Sequence, residues 1–414
     1  MSPHHWLLGH IPLSASIIGS LPPYAHGVYF GDQIRQSYPH LDSAFYLDNW
    51  PLAAPILVVL KTDMMYQLTQ ANQIPKTKAF PLTGESDLVA LEGCTWKYWR
   101  AIFNPGFSAS HVSSLVPGMI EEIKVFKDLL RKYAKSGKIM FLEDASLNLT
   151  IDIIGRVAMD YRFCSQTSYN DMTAALRRQF IKCTEIQKKD KSIVDLALKA
   201  YLAENPSASG IDKSFQNFAM AQIKLFILAG HDTTSAVCNC FQATTLELAY
   251  LYHCGHQIES PHLPRCRRAS RWTILFLFDR RQWSSFPTER TIVWGDHYAT
   301  HHNPAHWPRA EEFLPERWIV TKGHELYPPK NGWRPFERGP RNCIGQEVAM
   351  TEIKLMLALT IRDFDFKDAY EEYDVMKGNP KGLNVNGQRA YMMLWGGGDP
   401  ADHYPSKVAF AKQK

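Results

Sequence analysis

No run of eighteen apolar residues occurs in the 414-residue chain, so the sequence encodes no membrane-spanning helix. The longest apolar stretches, Leu52 to Leu60 and Thr273 to Phe278, are too short to cross a bilayer and read as strands. Net charge is also scarce. A formal +5 spread along the chain gives no basis for binding nucleic acid, though a mildly basic face could suit an acidic redox partner. The eight cysteines (94, 164, 183, 238, 240, 254, 266 and 343) follow no regular framework in a chain too large to need one, which points to a reducing compartment. The N-terminus has no basic segment ahead of an apolar one and so is not a secretory signal. Asn148-Leu149-Thr150 spells a glycosylation sequon but reads as a helical surface triplet. Long biased tracts are missing as well, which leaves an ordinary globular chain with ample core.

What the chain does contain is a glycine-punctuated loop, Phe336-Glu337-Arg338-Gly339-Pro340-Arg341-Asn342-Cys343-Ile344-Gly345. Beyond it Ala349, Ile353, Met356, Leu357 and Ile361 recur at helical spacing, which puts Cys343 within about one turn of a helix N-terminus. Aligned peptide dipoles there favour negative charge, hence the thiolate. Such a sulfur is a nucleophile or a metal ligand, and its neighbours decide which. Gly339 and Gly345 can take left-handed angles or lie flat against a planar ligand. Phe336 offers an aromatic face, and Arg341 a two-pronged donor for a carboxylate. Together these suit haem, whose iron takes an axial cysteinate and whose propionates need cations. The alternative is a buried structural cysteine beside an incidental arginine.

The order Phe-x-x-Gly-x-Arg-x-Cys-x-Gly resembles the haem-binding loop of the cytochrome P-450 superfamily of haem-thiolate monooxygenases. That resemblance implies a mainly α fold with a small β-rich lobe, built as a single domain over residues 1–414. It implies haem b with Cys343 as axial iron ligand, O2, a lipophilic small-molecule substrate, and electrons from an NADPH-dependent cytochrome P-450 reductase. It further implies the cytoplasmic side of the endoplasmic reticulum membrane, with membrane contact at most peripheral since no transmembrane anchor is present. Two more segments carry the likeness. Trp96 and Arg100, four apart and so on one helix face, match the family's Trp-x-x-x-Arg pair that binds a haem propionate. Ala229-Gly230-His231-Asp232-Thr233-Thr234 stands midway along a proline-free segment, Lys213 to Tyr250, that reads as one long helix. Small residues at 229 and 230 would admit a flat cofactor to the helix backbone, and Asp232 and Thr233 would route protons to dioxygen. The competing reading of Thr233 is a hydroxyl bonded back to the i−4 carbonyl.

Strand composition marks Ala44 to Leu47, Ile56 to Leu60 and Asp363 to Phe366; helical spacing marks Asp63 to Ala71, Glu121 to Lys135, Leu147 to Asp160 and Asp171 to Lys182. Asn386-Gly387 signals a hairpin between strand-like runs. Two defects interrupt the resemblance. At 183–192 the helices that form a substrate lid in the family are mostly missing. Residues 252–290 form an atypical insertion-like segment, whose His253, Cys254, His256, His262 and Cys266 fit no usual zinc template. No glutamate in the chain is followed three positions later by arginine, so the family's Glu-x-x-Arg helix is absent, while its partner segment Pro315-Glu316-Arg317-Trp318 remains. Arg317 is therefore expected either to turn to solvent or to be buried unmatched at a cost of roughly 3–5 kcal/mol, with poor haem uptake and little turnover. The expected function is insertion of one oxygen atom into a lipophilic molecule in fungal secondary metabolism, which Phe45-Tyr46-Leu47-Asp48 and Ile102 to Phe107 suggest by likeness to fungal members. The alternative is an inactive or merely haem-binding relative from a damaged gene or faulty gene model. A peroxide-rearranging member is disfavoured by the intact Asp232-Thr233.

Overall fold

A computed structural model describes residues 3–71, 87–168, 192–204, 213–243, 286–288, 291–312, 314–379, 382–394 and 398–411. The expected helix at 171–182, the strand at 273–278, the end of the long helix beyond 243 and nearly all of both defective segments lie outside these residues. The helices in chain order are α1 (Ile11–Ser20), α2 (Tyr29–Ser37), α3 (Thr62–Tyr66, continued by a wider turn over Gln67–Ala71), α4 (Gly93–Phe103), α5 (Ala109–Ser136), α6 (Leu142–Met159), α7 (Ile193–Glu204), α8 (Lys213–Ala243), α9 (His297–His301), α10 (Gln346–Thr360) and α11 (Tyr370–Met376). The strands are β1 (Ala44–Leu47), β2 (Ile56–Val59), β3 (Met140–Phe141), β4 (Ile292–Gly295), β5 (Phe364–Asp368) and β6 (Pro405–Phe410). The fold is mainly helical with two small sheets, as expected. None of the described helices is long and apolar enough to cross a membrane.

The chain folds back on itself into two compact units. The first comprises residues 1–79, 246–342 and 384–387. Its sheet runs β1-β2-β4, with β1 antiparallel to β2 (Ala44 opposite Val59) and β4 parallel to it (Ile292 opposite Ile56). Both faces of β2 are covered, which is why that strand is apolar without alternation. Leu57 and Val59 pack with Ala44, Met64 and Met65, while Val58 packs with Phe45, Leu47, Ile34 and Ala299. Asn386 and Gly387 take φ +51° and +82°, the paired left-handed angles of a tight turn. The residues beside them form single bridges rather than the expected strands.

The second unit comprises residues 80–245, 343–383 and 388–414. At its centre α6 packs against α8 and α5, and α10 lies against α5 and α8. Leu149, Ile153 and Val157 on α6 are fully buried, four residues apart, and form the stripe that this packing needs. Ser108 caps α5 by accepting from the His111 N–H, and Gly137 closes its far end at φ +63°. Trp99 of α4 stacks on Phe218 of α8 with ring centroids 3.7 Å apart. The second sheet, β3-β6-β5, is antiparallel throughout.

Candidate functional site

The second unit holds Trp96, Arg100, Ala229, Gly230, Asp232, Thr233, Cys343 and Gly345; the first holds Phe336, Gly339 and Arg341. Cys343 stands just ahead of α10, whose N-cap is Gly345. The main-chain N–H groups of Gly345 and Gln346 both point at its sulfur, and the positive charge of Arg100 acts on it from α4. A helix terminus of this kind was expected to favour the thiolate. Burial works the other way and is the larger effect, so the thiol is pushed above its ordinary range. Two N–H dipoles and one cation only partly offset the loss of water around the sulfur. A bound cation would complete the deprotonation, because a thiol that ligates a metal gives up its proton outright. Cys343 keeps accessible surface. Among the described residues a Cβ built on Gly345 would meet only this sulfur, at 3.8 Å.

Trp96 is buried and Arg100 half-buried, one turn apart on α4. Arg100 Nε donates to Asn104 Oδ1 at 2.9 Å, which steadies its guanidinium. Sequence spacing put these two residues on one face; only the folded chain brings their helix within electrostatic reach of Cys343. Among the described residues no three His, Cys, Asp or Glu side chains cluster as a metal cage.

On α8 the Thr233 hydroxyl donates to the Ala229 carbonyl at 2.7 Å, the back-bonded arrangement. Its lone pairs remain able to accept. Gly230 is required by packing: a Cβ there would sit 2.7 Å from Cγ1 and Cδ1 of Ile154 on α6. His231 is buried, with Nδ1 2.7 Å from the Ile227 carbonyl, and its own carbonyl accepts from Thr150 Oγ1 at 2.8 Å. Asp232 is half-buried. Sequence reasoning missed its neighbour Glu143, a fully buried carboxyl in the first turn of α6. Ser235 Oγ lies 3.2 Å from Glu143 Oε1 and donates to the Asp232 carbonyl at 2.7 Å. Burial first, and then the charges of Asp399 and Asp232, hold Glu143 far above the usual carboxylate range. Nothing in the local pattern around residue 143 signals this.

In the first unit Gly339 has φ +92° and lies so close to the Thr69 carbonyl that no Cβ fits. Phe336 and Arg341 are half-buried, and the Phe336 ring meets Trp333 edge-on at 6.4 Å. Arg317 corrects the expectation made for it. It neither turns to solvent nor stands unmatched: 7% exposed, it donates through Nη2 to the carbonyls of Pro308 and Arg309 and lies 5.9 Å over the Trp307 ring. Carbonyl dipoles and an aromatic face surround the guanidinium, and its charge also acts on the Glu312 carboxylate.

The family model described as Cytochrome P450 matches residues 288–393. Cytochrome P450 monooxygenase polC of Polytolypa hystricis is 39% identical over 100% of this chain and 90% of its own length. Cytochrome P450 monooxygenase acrF of Aspergillus aculeatus is 28% identical over 80% of this chain and 86% of its own. Cytochrome P450 4A24 of Sus scrofa is 24% identical over 88% and 84%.

Proposed function

The chain belongs to the cytochrome P450 family, and from that premise we propose that it inserts one oxygen atom of O2 into a lipophilic small molecule of fungal secondary metabolism. The observation that carries this is the setting of Cys343: a sulfur in a half-buried residue that faces two main-chain N–H groups, with the Arg100 cation acting on it and, among the described residues, no other atom close to the Cβ position of Gly345. Those donors would suit a haem b, with Cys343 as the residue that would hold its iron. When bound, the haem supplies dioxygen activation and oxygen transfer.

The chain's own residues do the rest. Gly345 and Gln346 N–H groups stabilise charge on the sulfur. Trp96, Arg100 and Arg341 would be the donors to the haem carboxylates, Phe336 and Gly339 would offer flat contacts, and Ala229 and Gly230 would be the thin part of α8. Thr233 has committed its proton to Ala229, so it serves as an acceptor that holds a water in place beside the carboxylate of Asp232. Electrons come from an NADPH-dependent reductase, on the cytoplasmic side of the endoplasmic reticulum.

One observation favours a second reading, a haem-binding relative without turnover. The match to polC runs over 511 residues, longer than this chain, so stretches of that relative have no counterpart here. A single preparation separates these readings. The haem-loaded chain, reduced under carbon monoxide, is expected to give a strongly red-shifted Soret band that Cys343→His abolishes; a band kept by the variant removes the ligand assignment. Product formed with reductase and NADPH from a panel of lipophilic substrates then decides between monooxygenase and silent relative.

A further inference from the structure

Glu337 has φ +52°, a left-handed angle that any side chain makes costly, and it lies between Phe336 and Arg338 in the cysteine loop. A residue kept in such a conformation calls for a use of its side chain. Its carboxylate is gripped from three directions. Oε1 accepts from the Arg334 guanidinium and, at 2.8 Å, from the Arg338 N–H; Oε2 lies 2.6 Å from Nε2 of His297 on α9. Arg334 is fully buried and spreads its remaining donors over α3 and the turn that follows it. Its Nη2 also donates to Thr69 Oγ1 at 2.5 Å and to the Met65 carbonyl at 3.4 Å, and Nη1 donates to the Asn331 carbonyl at 3.3 Å. The Arg334 main-chain N–H donates to His301 Nε2 at 3.3 Å, and Arg338 Nε donates to the Trp333 carbonyl at 3.1 Å. Next in the chain, Gly339 lies directly on the Thr69 backbone.

Four points of the loop, 334, 337, 338 and 339, are thus fastened within the first unit. The centre of the fastening is one buried cation and its matched carboxylate. A buried guanidinium is tolerated only with such a partner, and removing either member releases the other.

We infer that the Arg334–Glu337–His297 cluster is the brace of the cysteine loop in this chain, which has no Glu-x-x-Arg segment to supply one. Arg334 and Glu337 are positioning residues: they fix the backbone that presents Phe336, Gly339 and Arg341 and that continues into Cys343. The inference rests on the haem-loop assignment above, but its first test needs no haem.

The amide of Asn342 donates to the Gly339 carbonyl at 3.1 Å and so reports whether the loop is closed. In the full-length, haem-free chain, hydrogen–deuterium exchange at Asn342 is expected to quicken at least tenfold in Glu337→Gln and Glu337→Gly, while amides in the middle of α10 are unchanged. Glu337→Gly is the sharper variant, because it relieves the backbone conformation and removes the carboxylate. A merely strained residue would gain order from it. Exchange at Asn342 that is unchanged or slower in Glu337→Gly overturns the brace. His297→Gln gives a second reading at a half-buried position where misfolding is less of a hazard than at Arg334: a quickening smaller than that of Glu337→Gln supports the cluster, and none overturns the part assigned to His297. With haem added, the braceless variants are expected to lose the cofactor to apomyoglobin several-fold faster than the parent. If the parent takes up no haem while the exchange effect stands, the haem-loop assignment fails and the brace does not.

Discussion

Gly230→Ala separates two reasons for a glycine in the oxygen-motif helix. In the packing reading a methyl at 230 is driven into Cγ1 and Cδ1 of Ile154, each 2.7 Å from where it would lie, and Ile154 is itself buried against α8. Overpacking of this kind costs about 1–3 kcal/mol. Alanine in place of glycine in a helix interior returns about 1 kcal/mol. The net effect in the native background is therefore a loss of about 0–2 kcal/mol. Ile154→Ala removes both offending atoms and leaves Cβ at 3.3 Å. By itself this second change costs about 2–5 kcal/mol for the lost side chain and its cavity. On that background only the Cβ of residue 154 stays close to the methyl at 230, a contact that a shift of a few tenths of an ångström relieves, so Gly230→Ala is expected to stabilise by up to about 1 kcal/mol. The prediction is a reversal of sign, read from urea midpoints of the four haem-free chains in a double-mutant cycle with a common slope. If Gly230→Ala has the same effect in both backgrounds, the Ile154 contact does not explain the glycine. A loss of haem uptake that Ile154→Ala fails to rescue would return position 230 to the cofactor.

His301 is held neutral by burial, its value lowered from 6.5 to about 3, so the unfolded chain binds a proton that the folded chain refuses between those two values. Its stabilisation is complete above pH 6.5 and is lost as pH falls towards 3, by up to roughly 5 kcal/mol at 1.36 per unit. Asp296, raised by burial to about 7, acts in the opposite sense between its ordinary 3.8 and 7. The two groups largely offset each other between pH 7 and 4, so the reading is the difference between chains: urea midpoints at pH 7, 5 and 4 should favour His301→Gln over the parent increasingly as pH falls, and a difference that does not change with pH would refute the assignment. Arg317→Met is expected to destabilise by about 1–3 kcal/mol, because it leaves the Pro308 and Arg309 carbonyls without their donor. A gain in thermal midpoint would instead mark Arg317 as the unmatched charge that its sequence context implied.

What could be read from the chain alone was whatever lies in consecutive residues or repeats at a fixed period. The cysteine loop, the Trp96 and Arg100 pair, the motif around Asp232 and Thr233, the left-handed turn at Asn386-Gly387 and the helical stripes of α5, α6, α8 and α10 are all of this kind. Each depends on local geometry, and local geometry follows residue type and spacing. The tertiary structure decided everything that depends on which distant residues share a neighbourhood and how much water is left there. Burial sets Cys343 above its ordinary range where helix position alone argued for the thiolate. Ile154, remote in sequence, fills the place where a Cβ on Gly230 would lie; two carbonyls and an indole surround Arg317; burial holds Glu143 far above the usual carboxylate range beside the helix of Asp232. The reason is common to all of these. Desolvation, packing and charge pairing are properties of a point in the folded chain, and residues far apart in sequence create that point only when they meet.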